Sequence, residues 1–145
     1  YAEKAARLSA SVRDVSEFLV ELPFEAPRRS LDATVTYQDS CHPAHAQRVA
    51  APPRALLKAI PGLRFAEMEQ PDRCCGSAGV YSLTQPTMSL ILLDGKMADI
   101  AATGADYVAT SNPGCIAQIE AGCRRTGTPA KVVHVVELLA RSYKG

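Results

Sequence analysis

The alternation of short apolar runs with longer stretches of helical spacing limits the fold of this chain more than any other feature. "ATVTYQ" (33–38) is short and rich in β-branched residues, so it reads as a buried strand. Leu63 to Met68, "DYVAT" (106–110) and Lys131 to Val133 read the same way. After the first run, Asp39 or Ser40 can cap a helix with Pro43 in its first turn, running to Ala59 and broken or restarted at Pro52 and Pro53. A second helix runs from about Gln85 to Thr103, with Gly104 as its C-cap. A third opens with Asn112 as N-cap and Pro113 at the first helical position, and Gly127 closes it. The last begins near His134 to Val136. Strands alternating with helices predict an α/β fold, a mostly parallel sheet flanked by helices.

Ahead of this pattern, residues 1–20 place Ala5, Leu8, Val12, Val15, Phe18 and Leu19 at steps of three and four, which predicts one helix with an apolar face. Pro23 and Pro27 then mark a connection. The expected organisation is an N-terminal helix and linker over 1–30 and one domain over 31–145. The chain starts at Tyr1 inside a helical pattern, so it reads as part of a longer or processed protein. Its 145 residues suit a single ordinary domain, and with no tryptophan the core falls to Ala, Val, Leu and Ile. Sixteen Lys and Arg face fifteen Asp and Glu, a net charge of +1. That balance argues against a nucleic-acid partner and gives no electrostatic pull toward an anionic membrane. No apolar run approaches the ~18 residues of a membrane helix.

The chemistry lies in five cysteines: Cys41, Cys74, Cys75, Cys115 and Cys123. An odd number in an alanine-rich α/β chain reads as reduced thiols available to a metal, not as a secreted disulfide framework. Cys41 and Cys115 each stand just past a strand at a helix start, while Cys74 and Cys75 sit on the glycine loop "PDRCCGSAGVYSLTQP". Four thiols therefore fall beyond the carboxyl ends of the strands, where open α/β sheets bind ligands. Helix N-termini favour anions, which predicts lowered thiol pKa values at Cys41 and Cys115. Gly76 and Gly79 let backbone N–H groups approach sulfur. Cys123 lies eight residues beyond Cys115, ~12 Å along a helix, too far to share one metal, and reads as packing. His42 adjoins Cys41 and is a candidate to hydrogen-bond or replace a ligand, as is His45 one turn on; a polar residue at a helix start is the plainer reading. His134 reads as a satisfied, half-buried histidine.

"DSCHPAHAQ", "CCGSAGVYSLTQP" and "SNPGC" together resemble the cysteine-rich CCG domain of glycolate oxidase iron-sulfur subunits, lactate-utilisation proteins and heterodisulfide reductase. That family's pattern is a lone Cys, a spacer, Cys-Cys-Gly, a second spacer, then Cys-x-x-Cys; here 32 residues separate Cys41 from Cys74, and 39 separate Cys75 from Cys115. The words "AQRVAAPPRALLKAIPG" and "HVVELLARSY" tilt the likeness toward the glycolate oxidase branch. The resemblance implies an iron-sulfur electron-transfer subunit that carries electrons from flavin-containing partner subunits of a 2-hydroxy acid dehydrogenase toward a membrane quinone. It also implies a cytoplasmic location, peripheral at the inner face of the membrane. Full-length members carry CxxCxxCxxxCP runs for [4Fe–4S] clusters, and this chain resembles their C-terminal CCG domain. The final Cys-x-x-Cys is incomplete: it matches best with Asn112 in its first position and Cys115 in its second, and the other register puts Gln118 in the second.

The reading that follows assigns Cys41, Cys74, Cys75 and Cys115 as ligands of an iron-sulfur cluster of the [4Fe–4S] type, with Gly76, Gly79, Asn112 and His42 around it. This chain alone is not expected to oxidise the substrate. One alternative is a structural zinc site in a docking module; another is a thiol–disulfide reductase, weakened by the missing thiol. The arginines of "PRRS" and "CRRTG" read as ordinary surface charge, "MSLILLDGKM" as a buried helix flank in preference to an interaction surface, and Met88 and Met97 as core filler.

Overall fold

The computed structural model describes residues 1–23 and 29–143; Pro27 and Arg28 of the expected connection lie outside the described residues. Four parallel strands, β1 (Ala33–Tyr37), β2 (Leu63–Phe65), β3 (Tyr107–Thr110) and β4 (Lys131–His134), form one sheet in the order β2-β1-β3-β4. The chain steps from β1 outward to β2, then crosses back to β3 on the other side of β1. The carboxyl ends of β1 and β3 therefore flank the topological switch point.

β1, β3 and β4 bury residues on both faces, which is why they read as nearly continuous apolar runs, whereas the edge strand β2 has no buried residue. On one face Val35, Tyr37, Ala109 and Val133 pack with Leu56 and Leu57 of α3 (Ala51–Lys58) and Leu138 of α7 (Val135–Tyr143). On the other, Val108 and Val132 pack with Leu93 and Ile100 of α5 (Pro86–Thr103) and Ile119 of α6 (Pro113–Thr126). Gly122 brings α6 close to α5, since a Cβ there would stand 2.5 Å from Met97 Sδ. Arg125 pairs with Asp94 across the same two helices. Cys123 is buried in this cluster, as packing predicts. His134 is half-buried and accepts the Val136 N–H at 3.3 Å. Gly104 and Gly127 close α5 and α6 in left-handed conformations.

Several local expectations are corrected. Residues 1–20 form two helices, α1 (Ala2–Ser11) and α2 (Val15–Glu21), because the capping box of Asp14 and Glu17 starts a new one. The predicted apolar face is mostly exposed: α1 buries no residue, Phe18 is 52% exposed, and Leu19 is the side chain of that set that packs on the core. The helix expected over 41–59 is a π-helical turn (His42–Gln47), a left-handed Arg48 (φ 60°), and then α3 with prolines in its first turn. Those prolines have no N–H to continue a helix from upstream. Asp39 and Ser40 do not cap it: Cys41 stands at the N-cap without a side-chain bond, Asp39 binds Arg54, and Ser40 binds Thr110. β2 ends at Phe65, short of the expected Met68. A short helix, α4 (Tyr81–Thr84), precedes α5. Met97 is core, but Met88 is 47% exposed, and Leu90 and Ile91 beside it are exposed as well.

Candidate functional site

At the switch point a crevice of about 340 Å³ is lined by Cys41, Cys74, Cys75 and Cys115, together with His42, Gly79 and Asn112. A cavity of about 520 Å³ at the opposite end of the sheet is bordered by the C-terminal ends of α5 and α6 and has no cysteine in its lining. The thiols come from three segments that the parallel topology gathers: Cys41 after β1, Cys74 and Cys75 after β2, and Cys115 after β3.

The strand ends beneath the crevice are tightly tied. The Gln38 N–H bonds to the Ala109 carbonyl at 2.9 Å, and the Asp39 N–H to the Pro71 carbonyl at 3.0 Å. The hydroxyls of Ser40 and Thr110 meet at 3.0 Å, joining β1's extension to β3. Arg54 donates to both oxygens of Asp39 (2.8 and 2.9 Å) and to both of Glu67 (2.8 Å each). It also lies over the Tyr37 ring, 5.2 Å from the centroid. One guanidinium thus fastens α3 to the roots of two of the loops. Gln38 is a crevice residue that sequence reasoning missed. Its Nε2 donates to the carbonyls of Asp39 and Arg73, which leaves its buried Oε1 without a partner.

The CCG loop is built around Gly76, whose φ of +86° suits glycine and whose added Cβ would meet the Ser89 carbonyl oxygen at 2.3 Å. Ser89 returns the contact by donating its hydroxyl to the Gly76 carbonyl at 2.8 Å, and Gln118 donates to Ser89 at 3.1 Å. The Gly76 N–H points at Cys74 Sγ, 3.3 Å away, so this glycine does aim an amide at sulfur. Gly79 has a φ of +61° and open space around its Cα, and it lines the crevice without comparable contacts. On the facing side Asn112 Oδ1 accepts the N–H groups of Gly114 (2.8 Å) and Cys115 (3.2 Å), the cap that starts α6. A Cβ on Gly114 would stand 2.8 Å from Ser77 Oγ, so the loop rests on this helix start.

Electrostatics divide the four thiols. Cys75 and Cys115 are buried, and Cys75 is drawn down from 9.0 to about 7, mainly by its interaction with Cys115. Burial opposes the shift; the Ser77 amide and Lys96 reinforce it. Cys115 moves up, because its partner carries the negative charge and burial adds to the cost of a second one. This corrects the expectation that the α6 N-terminus would make Cys115 an acidic thiol: the neighbouring Cys75 and burial outweigh the helix end. Cys41 is exposed and Cys74 half-buried. His42 is exposed at the crevice mouth, and His45 is not among the lining residues.

Among the described residues no three His, Cys, Asp or Glu side chains are grouped closely enough to hold one metal ion. A single tetrahedral ion would need such a grouping. Four thiol donors spread around one crevice, with an amide already directed at one sulfur, fit a larger group that takes each sulfur at a different corner.

Comparison with known proteins agrees with this geometry. The profile of the family described as "Cysteine-rich domain" (CCG) matches residues 35–120, a stretch that contains all four crevice cysteines. The chain is 44% identical over 143 residues to the "Probable glycolate oxidase iron-sulfur subunit" of Bacillus subtilis, covering 96% of this chain and 32% of that protein. It is 34% identical over 140 residues to "Lactate utilization protein A" of Lysinibacillus sphaericus, covering 96% and 61%. It is 41% identical over 104 residues to an iron-sulfur protein of Methanococcus maripaludis, covering 72% and 21%. The chain thus spans between about a fifth and three-fifths of the length of these relatives. With more than half of its residues matched by the profile, the chain belongs to the cysteine-rich CCG domain family.

Proposed function

We propose that this chain is an iron-sulfur electron-transfer module of a 2-hydroxy acid dehydrogenase, glycolate being the first candidate substrate. The observation that carries the reading is the meeting of four thiols from three chain segments in one crevice. Cys41, Cys74, Cys75 and Cys115 would hold the cluster, and the [4Fe–4S] type is the first candidate for such a four-thiolate set. Such a cluster takes up and releases one electron at a time. The residues of this chain set its surroundings. The Gly76 amide donates toward the Cys74 sulfur, which stabilises negative charge there. Asn112 fixes the start of α6 and with it Cys115. His42 stands at the mouth, where a proton or hydrogen bond can be offered from solvent.

In this reading residues 31–145 form the cluster domain and 1–30 lead into it. Electrons arrive from flavin-containing subunits and leave toward quinone. The module works in the cytoplasm, where thiols stay reduced, at the inner face of the membrane. Among the described residues no helix is long and apolar enough to cross a membrane. The resemblance to glycolate and lactate proteins supports the substrate class.

The test is iron and acid-labile sulfide in protein purified without oxygen, beside Cys75→Ser. About four of each per chain, lost in the variant, is the expected result. Zinc alone would replace the reading with a structural docking module.

A second reading rests on Cys75, a thiol drawn below its ordinary range beside a second buried thiol, Cys115, as in a thiol–disulfide site. Rapid alkylation of Cys75 alone at mildly acid pH, in protein that binds no iron, would favour it.

A further inference from the structure

Lys96 on α5 is 0% exposed, and no role above uses it. Lysines are almost never fully buried unless paired. Its Nζ donates to the Gln70 carbonyl at 2.6 Å and lies 3.4 Å from the Pro71 carbonyl and 3.5 Å from Met68 Sδ. None of these acceptors carries a charge. The other cations nearby have carboxylates of their own: Arg54 holds Asp39 and Glu67, and Arg73 stands 3.4 Å from Asp99 while also bonding the Gly95 carbonyl. Burial lowers the lysine to about 8, with Asp99, Cys75 and Asp72 pulling it up and Arg73 pushing it down, so the ammonium persists at neutral pH.

The carbonyls it grips are not arbitrary. Gln70 and Pro71 open the segment that carries Cys74 and Cys75, and the Pro71 carbonyl also takes the Asp39 N–H at the end of β1's extension. Lys96 therefore sits under the junction of two cysteine-bearing segments. Asp39 lines the crevice, so the ammonium reaches its wall through the Pro71 carbonyl.

We propose that Lys96 is a positioning residue and a standing positive charge for the crevice: it anchors the start of the CCG loop, and its ammonium favours the more negative, reduced state of the group the four thiols hold. The redox half of this statement rests on the iron-sulfur reading. A fixed cation close to a redox centre stabilises the state with the extra electron, so removing it should make the centre harder to reduce.

The experiment compares wild type, Lys96→Met, Lys96→Gln and Lys96→Arg, all purified anaerobically, by redox titration of the visible and EPR signals. With iron and sulfide equal to wild type, the neutral variants should show a reduced-to-oxidised ratio about tenfold lower at a fixed potential, or about 59 mV for one electron. Lys96→Arg should stay within about twofold of wild type. A fully loaded Lys96→Met with an unchanged ratio overturns the proposal.

A second measurement needs no cluster and separates failure of this proposal from failure of the iron-sulfur reading. In metal-free protein at pH 7, hydrogen exchange at the amides of Asp39 and Arg73 should be about tenfold faster in the neutral variants and near wild type in Lys96→Arg. Equal rates in all four proteins overturn the proposal whether or not wild type binds iron. If both neutral variants fail to fold while Lys96→Arg folds, the anchoring charge is supported. If Lys96→Arg fails with them, the charge is not what the site requires, and the proposal falls.

Discussion

The crevice has two unlike walls. The inner one, formed by Cys75, Gly76, Ser77 and the start of α6, is buried and cross-tied through Ser89, Gln118 and Asn112. The outer one, formed by Cys41, His42 and the π-helical turn, is largely exposed and ends in a left-handed Arg48. Both supply thiols to the same space. The inner wall is part of the core, so folding itself fixes its sulfurs. The outer wall contributes little to the core and holds its sulfur where solvent, and a group entering from solvent, can reach it. π-turns of this kind recur at functional sites. The contrast separates two costs: damage to the inner wall should appear as lost stability, and damage to the outer wall as lost binding.

The largest effect should come from breaking the inner wall at Gly76. Alanine there meets the Ser89 carbonyl and must adopt a positive φ. A left-handed non-glycine residue costs about 1–2 kcal/mol and overpacking about 1–3. Gly76→Ala should therefore lose about 3–4 kcal/mol in urea melts of the metal-free protein. Gly79→Ala is the control, with a similar φ but nothing within 4 Å of its added carbon, and should lose only about 1–2 kcal/mol. Equal losses would mean that the inner wall is no tighter than its surroundings.

Next is the buried anchor beneath both walls. Arg54→Ala leaves Asp39 buried without its two charged hydrogen bonds, two residues before Cys41. Losing one partner of a buried pair costs about 3 kcal/mol or more. The melt should shift accordingly, and Arg54→Lys should recover only part of it, because an ammonium cannot bridge two carboxylates in parallel.

A smaller effect sharpens the comparison directly. Cys115→Ser puts a hydroxyl in a buried thiol's place and should cost about 1 kcal/mol in metal-free protein. Cys41→Ser, on the exposed side, should stay within about 0.5 kcal/mol of wild type. Both should bind less iron. A Cys41 variant that loads fully would take the outer wall out of the ligand set.

The same division explains what the sequence made legible. The sheet, the caps of α5 and α6, and the meeting of the four cysteines follow from local words, because strands buried on both faces and Asn-Pro or Gly boundaries carry strong short-range signals. The meeting of Cys75 with Cys115 in one buried pair was not legible, since it depends on how closely two loops 39 residues apart approach. Lys96 was hidden for a related reason: nothing in "MSLILLDGKM" singles it out, and only tertiary packing places it under the loop at Gln70. The π-helical turn departs from the α-period with no sequence mark except Pro43 and the prolines downstream. The apolar stripe of residues 1–20 misled because periodicity predicts which side is apolar and not what covers it.

The smallest predicted effect tests the inner pair by pH. Cys75 is held at about 7 against an ordinary 9.0, so the folded protein releases this proton before the unfolded chain does. The unfolded chain then binds more protons in that window, and stability rises with pH. The contribution is fully present above the ordinary value and is lost as pH falls through about 7. Lys96, lowered to about 8 from 10.5, adds to the rise at its upper end. Cys115 works against both above the ordinary thiol range, where the unfolded chain ionises and the folded one keeps its proton. Tyr37, pushed up to about 12 by burial, lies outside this window. Metal-free wild type should therefore gain stability from pH 7 to 9 and flatten beyond it. Cys115→Ala should shrink the gain by removing the neighbour that acidifies Cys75. A wild-type profile that is flat across this window would mean that the two inner thiols titrate independently, and the inner wall would then have no electrostatic distinction from the outer one.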